Sequence, residues 1–323
     1  MLAVHLEKGR VQIRRVPLPR VPEGFARIRL LAAGICSTDL QLQRGYYGFS
    51  GTPGHEFVGE VVDVNDANVD QSVLGARVAG EINLACHKCE WCARGIERHC
   101  PHRTVLGIVK HPGAFREFLT LPIANLHRVP AAIPTDHAVF IEPLAAACEI
   151  LDQVAIPRGH PVAVLGDGKL GLLIAQVLAA HGARVHLYGR HRDKLRLVES
   201  VGVTTELLPK KLPAHRWPMI VDSTGSQAGL NAAIEMCEPR GTVVMKSTVH
   251  GLVPIDTAPA IVNEITLIGS RCGRFEAAIP LLASGKVRVA PLISEEFTLD
   301  QAPRAFARAA TKGVLKILLQ PAG

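Results

Sequence analysis

The hydrophobic pattern of the chain changes at about residue 141. Up to that point, apolar residues form short or alternating runs, such as 25–30 and 57–62, which Gly and Pro interrupt. Alternation with a period of two between frequent turn residues predicts a mostly β region. A helical stretch follows within 142–159, and it ends at Pro157-Arg158-Gly159, a turn signal typical of a domain boundary.

Strand and helix patterns alternate beyond this turn. The order predicts a parallel, doubly wound α/β sheet with right-handed crossovers. The predicted elements are strands at 162–165, 185–188, 219–222, 242–245 and 265–268 and helices at 170–181 and 193–201. The tail after Arg274 predicts helices at 277–282 and 301–310 and a last strand at 314–319.

Length and composition narrow the class of protein. A chain of 323 residues predicts two domains, and 48% hydrophobic with 20% charged residues is typical of globular proteins. The net charge is +7, but the basic residues form no long block, so we interpret the excess as solvated surface and expect no nucleic-acid partner.

The longest apolar stretches fall short of the roughly 20 residues that a bilayer span requires, and the N-terminus does not resemble a secretion signal. We therefore expect a cytoplasmic protein without a membrane partner.

Four of the eight cysteines are clustered, with the spacing C-x2-C-x2-C-x7-C. They are Cys86, Cys89, Cys92 and Cys100. Two-residue gaps let thiolates converge on one ion, and four thiolates complete the closed tetrahedral shell of a structural zinc. Buried or disulfide-paired cysteines and an iron–sulfur cluster are the alternatives. Because cytosolic thiols stay reduced, the cluster favours zinc, which would pin a long loop.

A looser set of metal-ligand residues is spread over three segments. Cys36 lies in Gly34-Ile-Cys-Ser-Thr-Asp39, His55 and Glu56 follow Gly54, and Glu142 stands much later, before Pro143. A catalytic zinc needs three protein ligands and one open position, and a mixed thiolate, imidazole and carboxylate shell meets that need. Each residue taken singly is better explained by an ordinary structural role. The combination predicts a catalytic zinc site.

A glycine-rich segment, Gly166-Asp-Gly168-Lys169-Leu170-Gly171, follows the predicted strand at 162–165 and opens a predicted helix. This is the context that a dinucleotide fingerprint requires. The first glycine permits the tight turn, the second lets the pyrophosphate approach the backbone, and the third lets the helix pack on the strand. A glycine-rich turn that binds nothing is the alternative.

The end of the next predicted strand bears on the choice of cofactor. NAD sites usually place Asp or Glu at this tip to bond the ribose 2′-hydroxyl. Here the strand ends in Gly189, Arg190, His191 and Arg192, and none of these is acidic. Arginine binds phosphate oxygens bidentately, so the segment favours the 2′-phosphate of NADP, with NAD as the alternative.

These motifs, in this order, resemble the zinc-dependent medium-chain dehydrogenase/reductase family over nearly the whole chain. The resemblance implies a GroES-like β catalytic domain with its zinc lobe at 1–148, a Rossmann cofactor domain at 149–272 and a C-terminal return to the catalytic domain at 273–323. It also implies a homodimer or homotetramer built near 265–268. The span 202–222 is short for the family, so we expect one strand-helix element of the Rossmann domain to be trimmed.

The resemblance assigns the zinc ligands residue by residue. Cys36 and His55 would bind the catalytic zinc, with Glu56 and Glu142 as alternating or water-mediated carboxylate ligands. Asp39 would orient the zinc-binding imidazole. A carboxylate at 142 is similar to the polyol, sugar and threonine branch of the family.

Three further positions concern the cofactor and the proton. Thr38 would pass on the substrate proton, and Lys316 would contact the cofactor pyrophosphate. Many relatives carry a histidine three residues after the hydroxyl residue, whereas this chain has Gln41, so a proton exit there would need water.

The expected reaction is hydride transfer between an alcohol or polyol, or the corresponding aldehyde or ketone, and a nicotinamide cofactor. Zinc would lower the pKa of the alcohol hydroxyl. Two other functions remain open: a zinc-independent NADPH-linked reductase of activated double bonds, and a cofactor-binding regulator without turnover. The complete ligand set argues against both, because function resides in the site rather than the fold.

Overall fold

The chain builds part of one unit, then a second unit, and then returns to the first. The computed structural model describes residues 1–68, 70–248 and 252–321. One unit comprises Met1–Glu142 and Ile293–Gly323, and the other comprises Pro143–Leu292. The family resemblance implied boundaries after residues 148 and 272. The structure therefore assigns the helix at Phe275–Ala283 to the second unit rather than to the C-terminal return.

Eighteen β-strands lie in the described residues. They are β1 (Leu2–Glu7), β2 (Arg10–Arg15), β3 (Phe25–Ile35), β4 (Glu56–Asn65), β5 (Arg77–Gly80), β6 (Asn83–Leu84), β7 (Thr104–Leu106), β8 (Lys110–His111), β9 (Phe118–Pro122), β10 (Leu126–Arg128), β11 (Pro161–Leu165), β12 (Arg184–Gly189), β13 (Thr204–Leu207), β14 (Trp217–Asp222), β15 (Cys237–Met245), β16 (Thr266–Gly269), β17 (Ile293–Thr298) and β18 (Lys316–Gln320).

Ten α-helices lie in the same described ranges. They are α1 (Ser37–Gln43), α2 (Glu90–Ala93), α3 (Thr135–Ala138), α4 (Ile141–Gln153), α5 (Lys169–His181), α6 (Arg192–Glu199), α7 (Gln227–Met236), α8 (Ala258–Val262), α9 (Phe275–Ala283) and α10 (Ala302–Ala309). Short 3-10 turns at Tyr46–Gly48, Gln71–Val73, Glu97–His99, Ile123–Asn125, Ala290–Leu292 and Leu299–Gln301 connect some of them.

The first unit is organised by a sheet in the order β10-β5-β4-β3-β18-β17, with β9 also paired to β3. Strand β3 is central, and it pairs antiparallel with both β4 and β18. Near the end of β3, Gly34 pairs with Glu56 of β4 and Ile35 pairs with Ile317 of β18. This register brings the segment before Cys36, the start of β4 and the start of β18 to the same end of the sheet.

The second unit contains a six-stranded parallel sheet in the order β13-β12-β11-β14-β15-β16. The chain starts in the middle of this sheet at β11, builds outward to β13, and then crosses to β14. This is the strand order of a dinucleotide-binding fold, in which ligands bind where the order reverses. Residues 208–216, which connect β13 to β14, contain no helix. The trimmed element is therefore the helix of this crossover, and its strand is retained.

The predicted α/β fold class, with a mostly β unit and a doubly wound parallel sheet, is confirmed. Strands β13 and β17 and helices α7 and α8 were not predicted from the sequence. Strand β13 has an alternating polar pattern with few apolar residues, because it lies at the sheet edge and is only partly buried. In the described part of the chain, no helix combines the length and the apolar character needed to cross a bilayer.

We predict that Gly171→Ala destabilises the second unit. A Cβ at this position would lie 1.9 Å from the carbonyl oxygen of Gly166, so α5 would have to move away from the turn that follows β11. Overpacking of this kind costs roughly 1–3 kcal/mol. Differential scanning calorimetry or urea unfolding measures the loss.

Gly168→Ala is the matched control for this substitution. A Cβ there meets nothing within 4 Å, and the φ angle of −77° suits any residue. Its free energy of unfolding is expected to fall by less than that of Gly171→Ala, since only the N-cap preference for glycine over alanine is lost. Equal stability of both variants would contradict the close packing of α5 on the turn.

Candidate active site and metal centres

Three potential metal ligands meet at the shared end of β3 and β4. Cys36 immediately follows β3, His55 immediately precedes β4, and Glu56 begins β4. One ligand atom from each lies within 4.8 Å of the others. His55 and Glu56 are buried and Cys36 is half-buried, so the cluster is enclosed by protein on most sides. A thiolate, an imidazole and a carboxylate at these separations can hold one zinc ion.

A buried carboxylate, Asp39, fixes this arrangement. Its Oδ2 accepts a hydrogen bond from the backbone N–H of Cys36 at 2.8 Å, and its Oδ1 accepts one from the N–H of Gly54 at 3.2 Å. Oδ1 also lies 3.5 Å from Nδ1 of His55. The Asp39 side chain is fully buried. One side chain therefore binds both segments that carry the ligands, and it leaves Nε2 of His55 for a metal ion.

The electrostatic setting of His55 follows from the same contacts. Burial alone would lower the pKa of its imidazole, but the Asp39 carboxylate and the Cys36 thiol raise that pKa well above its ordinary value. A negative environment of this kind favours any cation at the imidazole, whether a proton or a metal ion.

Lys316, at the start of β18, lies on the other side of the cluster. Its ammonium donates to Oε2 of Glu56, and both side chains are buried. The ammonium also lies 5.5 Å from the centre of the Phe140 ring. Burial would lower the pKa of Lys316, but the charges of Glu56, Cys36 and Glu142 raise it. In this structure the Lys316 ammonium thus forms an ion pair with Glu56. Its expected contact with the cofactor pyrophosphate stays a prediction.

The two candidate carboxylate ligands occupy different positions. Glu56 belongs to the group of ligand atoms within 4.8 Å, together with Cys36 and His55, and Glu142 does not. Glu142 lies in the first turn of α4 and acts electrostatically on Lys316. A carboxylate has two oxygens, so Glu56 can accept from Lys316 with one and bind a metal ion with the other.

Thr38 supplies a hydroxyl beside the cluster. It is the second residue of α1, and its Oγ1 lies 3.8 Å from the Cys36 sulfur. Residue 36 caps the helix N-terminus, so the geometry of α1 determines the position of this hydroxyl.

The four clustered cysteines form a second centre. The sulfur of Cys89 lies 3.5 Å from that of Cys92 and 3.7 Å from that of Cys100, and Cys86 lies 3.5 Å from Cys100 and 4.0 Å from Cys92. Zinc–sulfur bonds of about 2.3 Å in a tetrahedron place the sulfurs about 3.8 Å apart. The measured separations thus fit one tetrahedral ion, whereas an iron–sulfur cluster needs its thiolates farther apart.

In the second unit, the glycine-rich turn has the conformation expected of a fingerprint. Gly166 has a φ angle of +112°, and its N–H donates to the carbonyl of Tyr188 at 2.9 Å. Gly168 caps α5, and the space beside it is open, as a close approach of pyrophosphate requires. Lys169 and Leu170 form the first turn of α5. The residues therefore fit a dinucleotide phosphate at the helix N-terminus.

The tip of β12 has an acidic side chain beside it, although none of its own residues is acidic. Gly189 ends the strand, and Arg190 and Arg192 follow on the exposed side. Asp167, from inside the glycine-rich turn, reaches this tip and accepts hydrogen bonds from it. The sequence analysis missed this residue. An acidic residue within the fingerprint was the available signal, but only the parallel pairing of β11 with β12 shows where its side chain lies.

Comparisons with known proteins agree with both units. Residues 22–131 match the alcohol dehydrogenase GroES-like domain family, and residues 170–284 match the zinc-binding dehydrogenase family. The chain is 32% identical to an L-threonine 3-dehydrogenase of Streptomyces avermitilis, over 94% of this chain and 94% of the relative. It is 27% identical to a sorbitol dehydrogenase of Halalkalibacterium halodurans, over 97% of this chain and 96% of that protein.

A solved structure shows a similar fold over the full length. It is described as a zinc-binding dehydrogenase from Sinorhizobium meliloti bound to NADP, and it is 29% identical to this chain. The TM-score is 0.89, and the alignment covers 99% of both chains.

We predict that single cysteine substitutions separate the two metal centres. The zinc-loaded protein is expected to hold two zinc ions per chain. Cys36→Ser and Cys89→Ser should each retain one, and the double variant none, because each centre loses a ligand that its shell requires. Inductively coupled plasma mass spectrometry measures the number of zinc ions per chain.

Cys148→Ala, at a buried thiol outside both clusters, is the control and should keep two zinc ions per chain. Two ions in Cys36→Ser would refute the first centre.

We also predict that Asp39→Asn weakens the zinc site formed by Cys36, His55 and Glu56. An amide has one acceptor oxygen, so it cannot accept from both backbone N–H groups that Asp39 binds. Loss of such a supporting group typically costs about 10- to 100-fold in metal affinity. Chelator competition in the Cys89→Ser background isolates this site.

Asp63→Asn provides the comparison for this variant. It makes the same substitution on β4 of the same unit, at a half-exposed partner of Arg27. Its zinc affinity is expected to equal that of the Cys89→Ser background. An Asp39→Asn variant with the same affinity would show that the buried carboxylate does not support the site.

Proposed function

The chain belongs to the zinc-dependent medium-chain dehydrogenase/reductase family, and we propose that it transfers hydride between a polyol or related alcohol and NADP. The observation that carries the proposal is the group of three potential metal ligands, Cys36, His55 and Glu56, held by Asp39 in one unit. The other unit contains the fingerprint turn of a dinucleotide site. A metal site with an open position and a nicotinamide site are together what alcohol oxidation requires.

Different residues of the first unit would bind the metal ion and transfer the substrate proton. Zinc, when bound, supplies a Lewis acid that lowers the pKa of a substrate hydroxyl. Cys36, His55 and Glu56 would hold it, and Asp39 orients the imidazole. Thr38 is the group that accepts the substrate proton, because its hydroxyl lies beside Cys36 and can pass its own proton to water as it takes up that of the substrate.

Lys316 contributes through Glu56. Its ammonium compensates the charge of this buried carboxylate, which would otherwise be costly to bury next to a thiolate. Glu142, in the first turn of α4, provides a second carboxylate in the same region. We assign Glu56 as the carboxylate ligand, because it is the one placed with Cys36 and His55.

The substrate class is proposed from the relatives. The proteins compared above are named for sorbitol and for threonine, and both substrates carry a secondary alcohol with a polar neighbour. Polyols and similar polar alcohols are therefore the first candidates.

The cofactor proposal rests on the tip of β12. Arg190 and Arg192 are exposed there, Gly189 offers no carboxylate of its own, and guanidinium groups suit a 2′-phosphate. The related Sinorhizobium meliloti protein is bound to NADP. NAD is the second candidate, and it would use the same fingerprint turn.

We further propose a homo-oligomer in the cytoplasm. Strand β16 forms one edge of the parallel sheet, and Ile261 and Val262 on the neighbouring α8 are exposed apolar residues. A second copy could pair at this edge, since unpaired edge strands invite pairing. Reduced thiols are needed for the cysteine centre, which suits the cytoplasm.

The proposed function predicts a specific loss on Thr38→Val. The zinc-loaded enzyme should oxidise at least one member of a polyol and alcohol panel, assayed in parallel with NADP and NAD. Removing the hydroxyl should lower kcat by about 10²- to 10⁴-fold and leave zinc content unchanged, because a proton-transfer group is lost. Ser37→Ala removes the adjacent, exposed hydroxyl and should keep wild-type kcat.

Two results would count against the proposal. A zinc-replete protein that oxidises no alcohol and reduces no carbonyl with either cofactor would contradict the function itself. A Thr38→Val variant with wild-type kcat would instead contradict the role given to this hydroxyl.

A further inference from the structure

The carboxylate of Asp167 occupies an unusual place in the second unit. Asp167 lies between the first two glycines of the fingerprint turn, and its side chain is 11% exposed. Its Oδ2 accepts hydrogen bonds from the backbone N–H groups of Arg190 and His191, both at 2.7 Å. It also lies 3.0 Å from Nδ1 of His191. The turn after β11 is thus joined to the segment after β12 through one acidic side chain.

Asp167 fills the space where a side chain at the β12 tip would stand. A Cβ built on Gly189 would lie 2.7 Å from Oδ2 of Asp167 and 2.7 Å from its Cβ. Glycine at the tip is therefore what allows the Asp167 carboxylate to be there. In NAD sites, the acid that bonds the ribose 2′-hydroxyl comes from this tip. Here a carboxylate from a different segment lies beside the position that such a side chain would occupy.

We propose that Asp167 is a specificity-determining residue that favours NAD over NADP. This inference rests on the proposed function, because it concerns the same dinucleotide site. The negative charge of Asp167 disfavours a 2′-phosphate, and a carboxylate is a good acceptor for a ribose hydroxyl. Arg190 and Arg192 act in the opposite direction. The cofactor preference of the protein is the balance of these charges, and Asp167 reduces the preference for NADP that the two arginines give.

The charges around the carboxylate support this balance. Oδ2 is saturated by two backbone N–H groups and the His191 ring, so these donors compensate part of its charge. The same two N–H groups are then not available to a 2′-phosphate. A phosphate at this tip must depend on the arginine side chains, which are exposed to solvent and therefore bind it more weakly than buried donors would.

A purely structural role for Asp167 predicts something different. If the carboxylate only held the segment after β12 in place, its loss would weaken both cofactors to a similar extent. The ratio of the two dissociation constants therefore separates the two roles, and it does so without any measurement of turnover.

The test measures binding of NADPH and NADH to the zinc-loaded, full-length protein by isothermal titration calorimetry. Asp167→Asn keeps the size of the side chain and removes the charge. We expect the ratio Kd(NADH)/Kd(NADPH) to rise about tenfold, the scale of one charge–charge interaction in a partly exposed site. Arg190→Gln should lower the same ratio. Asp193→Asn removes an equal, exposed charge from the first turn of α6 and should leave the ratio within about twofold, because a solvated charge is screened.

The outcomes are distinguishable. An unchanged ratio in Asp167→Asn, or a parallel loss of both cofactors, overturns the assignment of Asp167 and leaves the proposed function intact. Failure of the unsubstituted protein to bind either cofactor overturns the proposed function and this inference together. Asp167→Ser, a smaller uncharged variant, gives a second measurement of the ratio if the asparagine variant does not fold.

Discussion

The site depends on one buried carboxylate that binds two pieces of backbone. Asp39 accepts a hydrogen bond from the N–H of Cys36 with one oxygen and from the N–H of Gly54 with the other, so it holds the two ligand-bearing segments together. Burying a carboxylate is unfavourable unless its oxygens receive hydrogen bonds, and these two donors satisfy that requirement. The same oxygen that binds Gly54 faces His55. Ligand position and imidazole orientation are thus set by a single side chain.

The register of the first sheet supplies the rest of the centre. Because β3 pairs with β4 on one side and with β18 on the other, Glu56 and Lys316 lie on opposite sides of the end of β3 that precedes Cys36. Their buried ion pair gives the carboxylate a fixed partner. In the second unit, parallel pairing of β11 with β12 similarly brings Asp167 to the tip of the neighbouring strand. Both sites therefore combine a local motif with one residue delivered by strand pairing.

Local motifs could be predicted from the sequence, whereas contacts that depend on strand pairing could not. The four-cysteine spacing, the fingerprint glycines and the motif around Cys36 are local, and their geometry follows from a few consecutive residues. The predicted strands of the parallel sheet lie close to the observed ones, because most of them are buried apolar runs. The contacts of Lys316 and Asp167 depend instead on which strands become neighbours. The polar edge strand β13 was missed for a related reason, since a partly buried edge lacks the apolar pattern that marks a strand.

We propose that one zinc ion is held by Cys36, His55 and a carboxylate, apart from the ion held by the four clustered cysteines. Anomalous diffraction at the zinc absorption edge, from crystals of the zinc-loaded protein, tests it most directly. We expect two peaks per chain, one among the four clustered sulfurs and one about 2.3 Å from the Cys36 sulfur and about 2.0–2.1 Å from an imidazole nitrogen of His55. A single peak among the four clustered cysteines, with no density beside Cys36, would contradict a zinc site at Cys36 and His55.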